Sequence, residues 1–129
     1  MSWRSIADLV ATDANAPVAL LGAPMEAGSV TPGRCDLAPA SLRQVLRRFS
    51  TYDLDNGREI DLAVADRGDV PVQGVMPADG FEAIRNAARE ATARHELTML
   101  IGGNNAVTRP AAHGLGAEAA GIIFQTAPM

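Results

Sequence analysis

Three short polar clusters, each directly after an apolar run, hold most of the side chains in this sequence that could do chemistry. They are residues 22–28 with Glu26, residues 66–69 with Asp66 and Asp69, and residues 102–105, which read Gly102, Gly103, Asn104 and Asn105. A fourth stretch, 126–129, closes the chain. Asp66 and Asp69 are the pair of carboxylates that general acid–base chemistry would use. Their Asp-x-Gly-Asp spacing, however, is one that closes a turn through side-chain to backbone bonds, and a turn is the reading adopted. Glu26 could face a cationic substrate, but a lone exposed carboxylate is ordinarily solvated. Cys35 is the single cysteine, so neither an intrachain disulfide nor a Cys-rich zinc site can form, and neither histidine has a spacing that makes it a base for the thiol. His95 falls at a helix end, where a cation is favourable, and His113 on a short helix beyond. The chain has no Gly-x-Gly-x-x-Gly spacing and, lacking lysine, no phosphate-binding Gly-x-x-x-x-Gly-Lys loop.

The elements that must position these clusters follow from apolar periodicity. Ser2 precedes Trp3, Ile6, Ala7 and Val10, which predicts a short capped amphipathic helix. Residues 18–21 form a continuous apolar run stopped by Gly22 and Pro24, the pattern of a central parallel strand. Glycines and prolines between Gly22 and Pro39 predict a long loop. A helix then starts at Pro39 or Ala40 with an apolar stripe of Leu42, Val45, Leu46 and Phe49, its arginines Arg43, Arg47 and Arg48 solvated. Asp55, Asn56 and Gly57 mark a turn. Ile60, Leu62 and Val64 alternate with Asp61, Ala63 and Ala65 as a half-buried strand, ended by the polar turn 66–69. Asp79 with Glu82 gives an Asp variant of the capping box for the longest helix, whose buried face is Phe81, Ile84, Ala87, Ala88 and Ala91. Residues 97–101 form another buried strand, Thr108 or a neighbour caps a helix through Ala111 to Leu115, and a last strand starts at 121–124. Strands alternating with helices imply parallel pairing and right-handed crossovers, so the expected architecture is α/β: a three-layer parallel-sheet fragment of about four strands in a single domain over 1–129.

Composition narrows the function classes. With 47% hydrophobic and 20% charged residues, the chain can build one core. A net charge of −4, eleven basic residues that are all arginine and few aromatics exclude a general nucleic-acid binder. No apolar run approaches the roughly 20 residues of a membrane span, and the first residues lack the apolar core of a signal peptide, so neither membrane nor export is expected. A single cysteine suits a reducing cytoplasm. In a parallel α/β sheet, function gathers at the carboxyl ends of the strands, where the polar clusters fall.

Gly22-Ala23-Pro24, the loop from Gly28 to Arg34, the helix entry Ala38-Pro39-Ala40-Ser41-Leu42-Arg43, the turn Asp66-Arg67-Gly68-Asp69-Val70 and the stretch Ile101-Gly102-Gly103-Asn104-Asn105-Ala106-Val107-Thr108 together resemble the amino-terminal part of the ureohydrolase superfamily. That is the arginase, agmatinase and formimidoylglutamase group. The resemblance covers nearly the whole chain, which corresponds to only the first part of a family member. It implies an arginase-like fold and a paired manganese site that activates a bridging hydroxide against a guanidinium or amidine carbon. The last stretch matches the family's Gly-Gly-Asp-His-Ser loop, so Asn105 stands where the family has its first histidine ligand and Asn104 replaces the preceding Asp. In Gln125-Thr126-Ala127-Pro128-Met129 only Ala127 matches the next motif, Thr126 and Pro128 replacing ligands. The implied metal position is therefore Asn105, with Gly102, Gly103 and Asn104 as its loop, and no catalytic residue carries over by identity. The expectation is a truncated or degenerate family member with no manganese of its own and no activity alone, its substrate a small guanidinium or amidine compound if it is active. The alternative is a noncatalytic module that binds a second copy or another chain through an exposed last strand. For residues 102–105, an ordinary strand-to-helix turn and an anion site at the following helix start also stay open.

Overall fold

Of the 129 residues, the computed structural model describes 3–11, 14–116 and 121–123. Its main sheet has four parallel strands: β1 (Val10–Ala11), β2 (Val18–Ala23), β5 (Val64–Asp69) and β6 (Leu97–Gly102), in the spatial order β1-β5-β2-β6. Between β2 and β5 lie helix α1 (Ala38–Val45) and a small antiparallel hairpin, β3 (Tyr52–Asp53) with β4 (Arg58–Glu59). The hairpin turns at Gly57, at φ 63°. Helix α2 (Pro77–Arg94) connects β5 to β6, and α3 (Thr108–Gly114) follows β6. No helix among the described residues is long and apolar enough to cross a membrane.

Strand β2 is buried at all six positions, as a central strand covered on both faces must be. Successive side chains on a strand alternate between faces, and the two faces meet different helices. Leu21 and Ala23 join Met25, Val70, Val72, Ile84, Ala91 and Val107 in the core under α2. A Cβ added to Gly22 would instead meet Pro39 of α1 and the Asp69 carboxylate. Helices α1 and α2 therefore lie on opposite faces, and the three-layer parallel sheet expected from the sequence is present. Helix α3 packs on α2 at Gly114, where a Cβ would approach the Arg85 carbonyl oxygen to 2.5 Å.

Several elements differ from their sequence reading. The first helix is one 3-10 turn, Ile6–Leu9, closed by Ser5 and Asp8: the Ser5 amide donates to the Asp8 carboxylate at 2.7 Å. The chain then extends into β1, which pairs with β5, while Ser2 lies outside the described residues. Helix α2 begins two residues before Asp79, because Pro77 is pre-set for the first helical position after an extended Met76, so the Asp79–Glu82 box is not formed. The apolar stripe of α1 is only half covered, Phe49 staying 57% exposed. Residues 121–123 are in no regular element, and Phe124 lies outside the described residues. Among the described residues, the fourth strand of the sheet is thus β1.

The strand expected over 60–65 runs instead over Val64–Asp69, with Leu62 left 41% exposed. Residues 66–69 are strand and not the turn that ends it. Leu20 pairs with Asp66 and Gly22 with Asp69, so β5 spends three residues where β2 spends two. This bulge contains Gly68 at φ 75°, a left-handed conformation that glycine adopts freely. Without the bulge, residues three apart would face opposite sides of the sheet. With it, both carboxylates face α1.

Candidate functional site

Because β2, β5 and β6 are parallel, their carboxyl ends converge, and the segments 24–29, 66–69 and 103–105 meet there. Two backbone bonds tie the end of β2 and the first segment to the third: Gly103 N–H donates to the Ala23 carbonyl at 3.0 Å and Asn104 N–H to the Met25 carbonyl at 2.8 Å. A Cβ on Gly103 would overlap the Met25 carbonyl oxygen, so only glycine permits the approach. Gly102 is similarly confined by Val107, with 2.5 Å from a Cβ to Cγ2.

Asn104 is the most connected side chain of this junction. Its Nδ2 faces the carbonyls of Glu26 at 3.3 Å and Ala27 at 3.2 Å and the Ser29 hydroxyl at 3.1 Å. Its Oδ1 accepts the Ala106 N–H at 3.1 Å and so caps the 3-10 turn Asn105–Val107. Two carbonyls on one end and an N–H on the other fix which end of the amide is nitrogen. Ser29 completes the arrangement by donating its hydroxyl to the Glu26 carbonyl at 2.6 Å. Asn105, by contrast, is exposed. The anion reading has little left to use, since the N–H groups of Gly103, Asn104, Ala106 and Val107 are already engaged within the chain.

The neighbouring strand tip carries a charge cluster that the sequence does not reveal. Arg43 of α1 grips Asp66 through two bonds, at 2.9 and 3.0 Å, and reaches Asp69 at 2.6 Å. The arginine expected to be merely solvated is therefore the bridge between both carboxylates. Burial alone would raise the Asp66 carboxyl, but the Arg43 guanidinium and the Gly68 N–H outweigh it and hold the group below the ordinary carboxylate range. Nearby, Arg34 forms a two-pronged pair with the buried Asp36, which also accepts from the Gln73 amide at 2.9 Å. These bonds lower the Asp36 carboxyl from 3.8 to about 2. With both acids committed to Arg43, Asp66 and Asp69 are an ion-pair anchor and not an acid–base couple.

The remaining reactive groups lie elsewhere. His95 is buried, with Nδ1 at 2.6 Å from the Ala16 carbonyl, and ties the end of α2 to the segment entering β2. His113 packs edge-on against Phe81 at 5.4 Å, and Arg109 lies over the same ring at 5.3 Å. Cys35 Sγ is 3.7 Å from the Met25 carbonyl, a weak contact that braces the same loop.

A pair of divalent metals needs several ionisable donors around one point. Among the described residues no group of three or more His, Cys, Asp or Glu side chains is placed to hold a metal ion. At the strand tips Asn104 is consumed by its hydrogen bonds, and Asn105 offers a single neutral oxygen. The described residues thus do not fit a two-manganese centre. Gln125 to Met129 lie outside the described residues.

Comparison with known proteins identifies what this architecture resembles. The arginase family profile matches residues 16–125. A formimidoylglutamase from Bacillus subtilis superposes with a TM-score of 0.73 at 23% identity, over 83% of this chain and 36% of that one. For an agmatine ureohydrolase of Thermoplasma volcanium the values are 0.74 and 23%, over 90% and 40%. A Trypanosoma cruzi formiminoglutamase solved with manganese gives 0.76 and 22%, over 88% and 40%. The chain thus spans well under half the length of these structures. No curated protein matches the sequence.

Proposed function

The chain belongs to the arginase family, and on that premise we propose that it is the amino-terminal part of a ureohydrolase scaffold that does not carry out hydrolysis by itself. The complete family fold is expected to act on small guanidinium or amidine compounds with manganese. Here the loop at the implied metal position presents amides: Asn104, spent on its neighbours, and Asn105, exposed and neutral. That observation carries the reading, because a neutral amide supplies neither imidazole donation nor the charge that offsets a divalent pair. What this chain's residues do is build and lock the sheet and the strand-tip loops. The test is hydrolysis of arginine, agmatine and formiminoglutamate by the purified chain with excess manganese. No turnover above the uncatalysed rate is expected, and manganese-dependent turnover of any of the three rejects the reading.

A second reading is favoured by the outer edge of β6. Among the described strands β6 pairs only with β2, and Leu97 and Met99 on it are 56% and 47% exposed. A parallel edge that is open among the described residues and carries apolar side chains suits pairing with a second copy or another chain, which would make the domain an oligomerisation or partner-binding module in the cytoplasm. A metal-free dimer in solution that dissociates on Met99→Lys supports this role, and a monomer at high concentration argues against it.

A further inference from the structure

The tip of the β3–β4 hairpin carries chemistry of its own, away from the strand-tip loops. Asn56 precedes Gly57, both residues are exposed, and Asn56 is the only one of the five asparagines followed by glycine. Glycine leaves the backbone nitrogen after an asparagine unshielded, and among the described residues a Cβ at Gly57 would meet nothing nearer than the Tyr52 hydroxyl at 3.8 Å. The other asparagines are worse placed. Asn15, Asn86 and Asn105 precede alanine, with Asn86 inside α2, and Asn104 precedes Asn105 and is held by its own bonds. At the tip a clasp restrains the reactive pair: Asp53 Oδ2 accepts from the Asn56 side-chain amide at 2.6 Å, and Oδ1 accepts the N–H groups of Asp55 at 3.0 Å and Asn56 at 3.3 Å. The Asn56 side-chain bond is the main reason that the Asp53 carboxyl lies below the ordinary carboxylate range. A carboxylate gripping the amide keeps it on Asp53, and the charges of Asp53 and Asp55 oppose removal of the Gly57 amide proton. We propose that the hairpin tip is a slow self-modification site, in which Asn56 loses its side-chain nitrogen to attack by Gly57 and Asp53 limits the rate by holding the amide back.

Hydroxide removes the Gly57 N–H proton, the nitrogen bonds to Asn56 Cγ, and the Cγ–Nδ2 bond breaks, Nδ2 leaving as ammonia with a proton from water. Water then opens the cyclic imide at one of its two carbonyls. Position 56 is left as an ordinary aspartate or as a β-linked one whose backbone is longer by a methylene, and no oxidant or reductant is needed. Either product replaces the donor to Asp53 by another carboxylate beside Asp53 and Asp55, so the clasp repels where it held and the short strands β3 and β4 lose their closing turn. The base of the hairpin keeps its own ties, Thr51 N–H to the Arg4 carbonyl and Ile60 N–H to the Thr51 carbonyl, so the change is confined to the tip. The experiment is incubation of the whole purified chain at mildly alkaline pH, with peptide mass mapping over time, for wild type, Asp53→Ala and Asp53→Asn. Wild type is expected to show amide-to-acid conversion at Asn56 before any other asparagine. Asp53→Ala is expected to convert several-fold faster, and Asp53→Asn, which keeps an acceptor but not the charge, at a rate between the two. Conversion first at another asparagine overturns the proposal, as does an Asp53→Ala chain that converts no faster than wild type or an Asn56 that stays intact in all three. Asn56→Asp supplies the ordinary product directly. It is expected to speed hydrogen exchange at residues 52–59 with little change in the Tm of the chain, and unaltered exchange there overturns the loosening of the tip.

Discussion

Gly103 shows how little freedom the strand-tip junction has. Its missing Cβ is the space taken by the Met25 carbonyl, which in turn accepts the Asn104 N–H. Gly103→Ala is expected to lower stability by about 1–3 kcal/mol, as overfilling a packed site does, and urea denaturation measures it directly. Asp36 makes a prediction in pH. Its carboxyl is lowered from 3.8 to about 2 in the folded chain, chiefly by its bonds to Arg34 and Gln73. A lowered folded value means that the unfolded chain binds the proton more readily, so this contribution is complete above 3.8 and is lost as pH falls toward 2. Asp36→Asn is expected to flatten that part of the acid limb, visible as a smaller drop in urea midpoint between neutral and acid pH. At this scale the sequence shows which residues are special and not what they touch. Gly102, Gly103, Asn104 and Asn105 are marked by composition alone. That Asn104 faces Glu26, Ala27 and Ser29, more than seventy residues earlier, depends on β2 and β6 being neighbours and on their register.

At the scale of elements, the bulge in β5 is the feature with the widest consequence. It turns Asp66 and Asp69 to one face, where Arg43 joins them to α1. Arg43→Met is expected to loosen α1 and to lower stability by about 1–2 kcal/mol, a moderate value because about a quarter of the arginine side chain is exposed. Hydrogen exchange should show the loss concentrated in α1 and the end of β5. Strands β2 and β6 were legible because short apolar runs bounded by glycine have few other interpretations, although β6, expected to be buried, leaves Leu97 and Met99 exposed; α2 was legible because its apolar spacing is long. Strand β5 was displaced because Asp, Arg and Gly at its end obey turn chemistry locally, while the partner that makes them strand residues is Arg43, far off in sequence. Strand β1 was missed because its two residues gain their pairing from β5 and show no pattern of their own.

At the scale of the whole molecule, the chain is an arginase-family sheet with its strand-tip loops fastened by amides and ion pairs. Its three layers followed from the alternation of strands and helices, and the family from the order of several weak motifs, none of which would have sufficed alone. On the second reading, the exposed side chains on β6 are where such a sheet would gain from another strand, and Met99→Lys is expected to block that pairing. On the proposed function, this chain's own residues do not hold the family's metal pair. The most direct measurement is manganese bound per chain at equilibrium, followed by the resonance of free manganese over a titration of the purified chain. Free manganese is expected to equal total manganese throughout. One or two tightly bound ions per chain would contradict it.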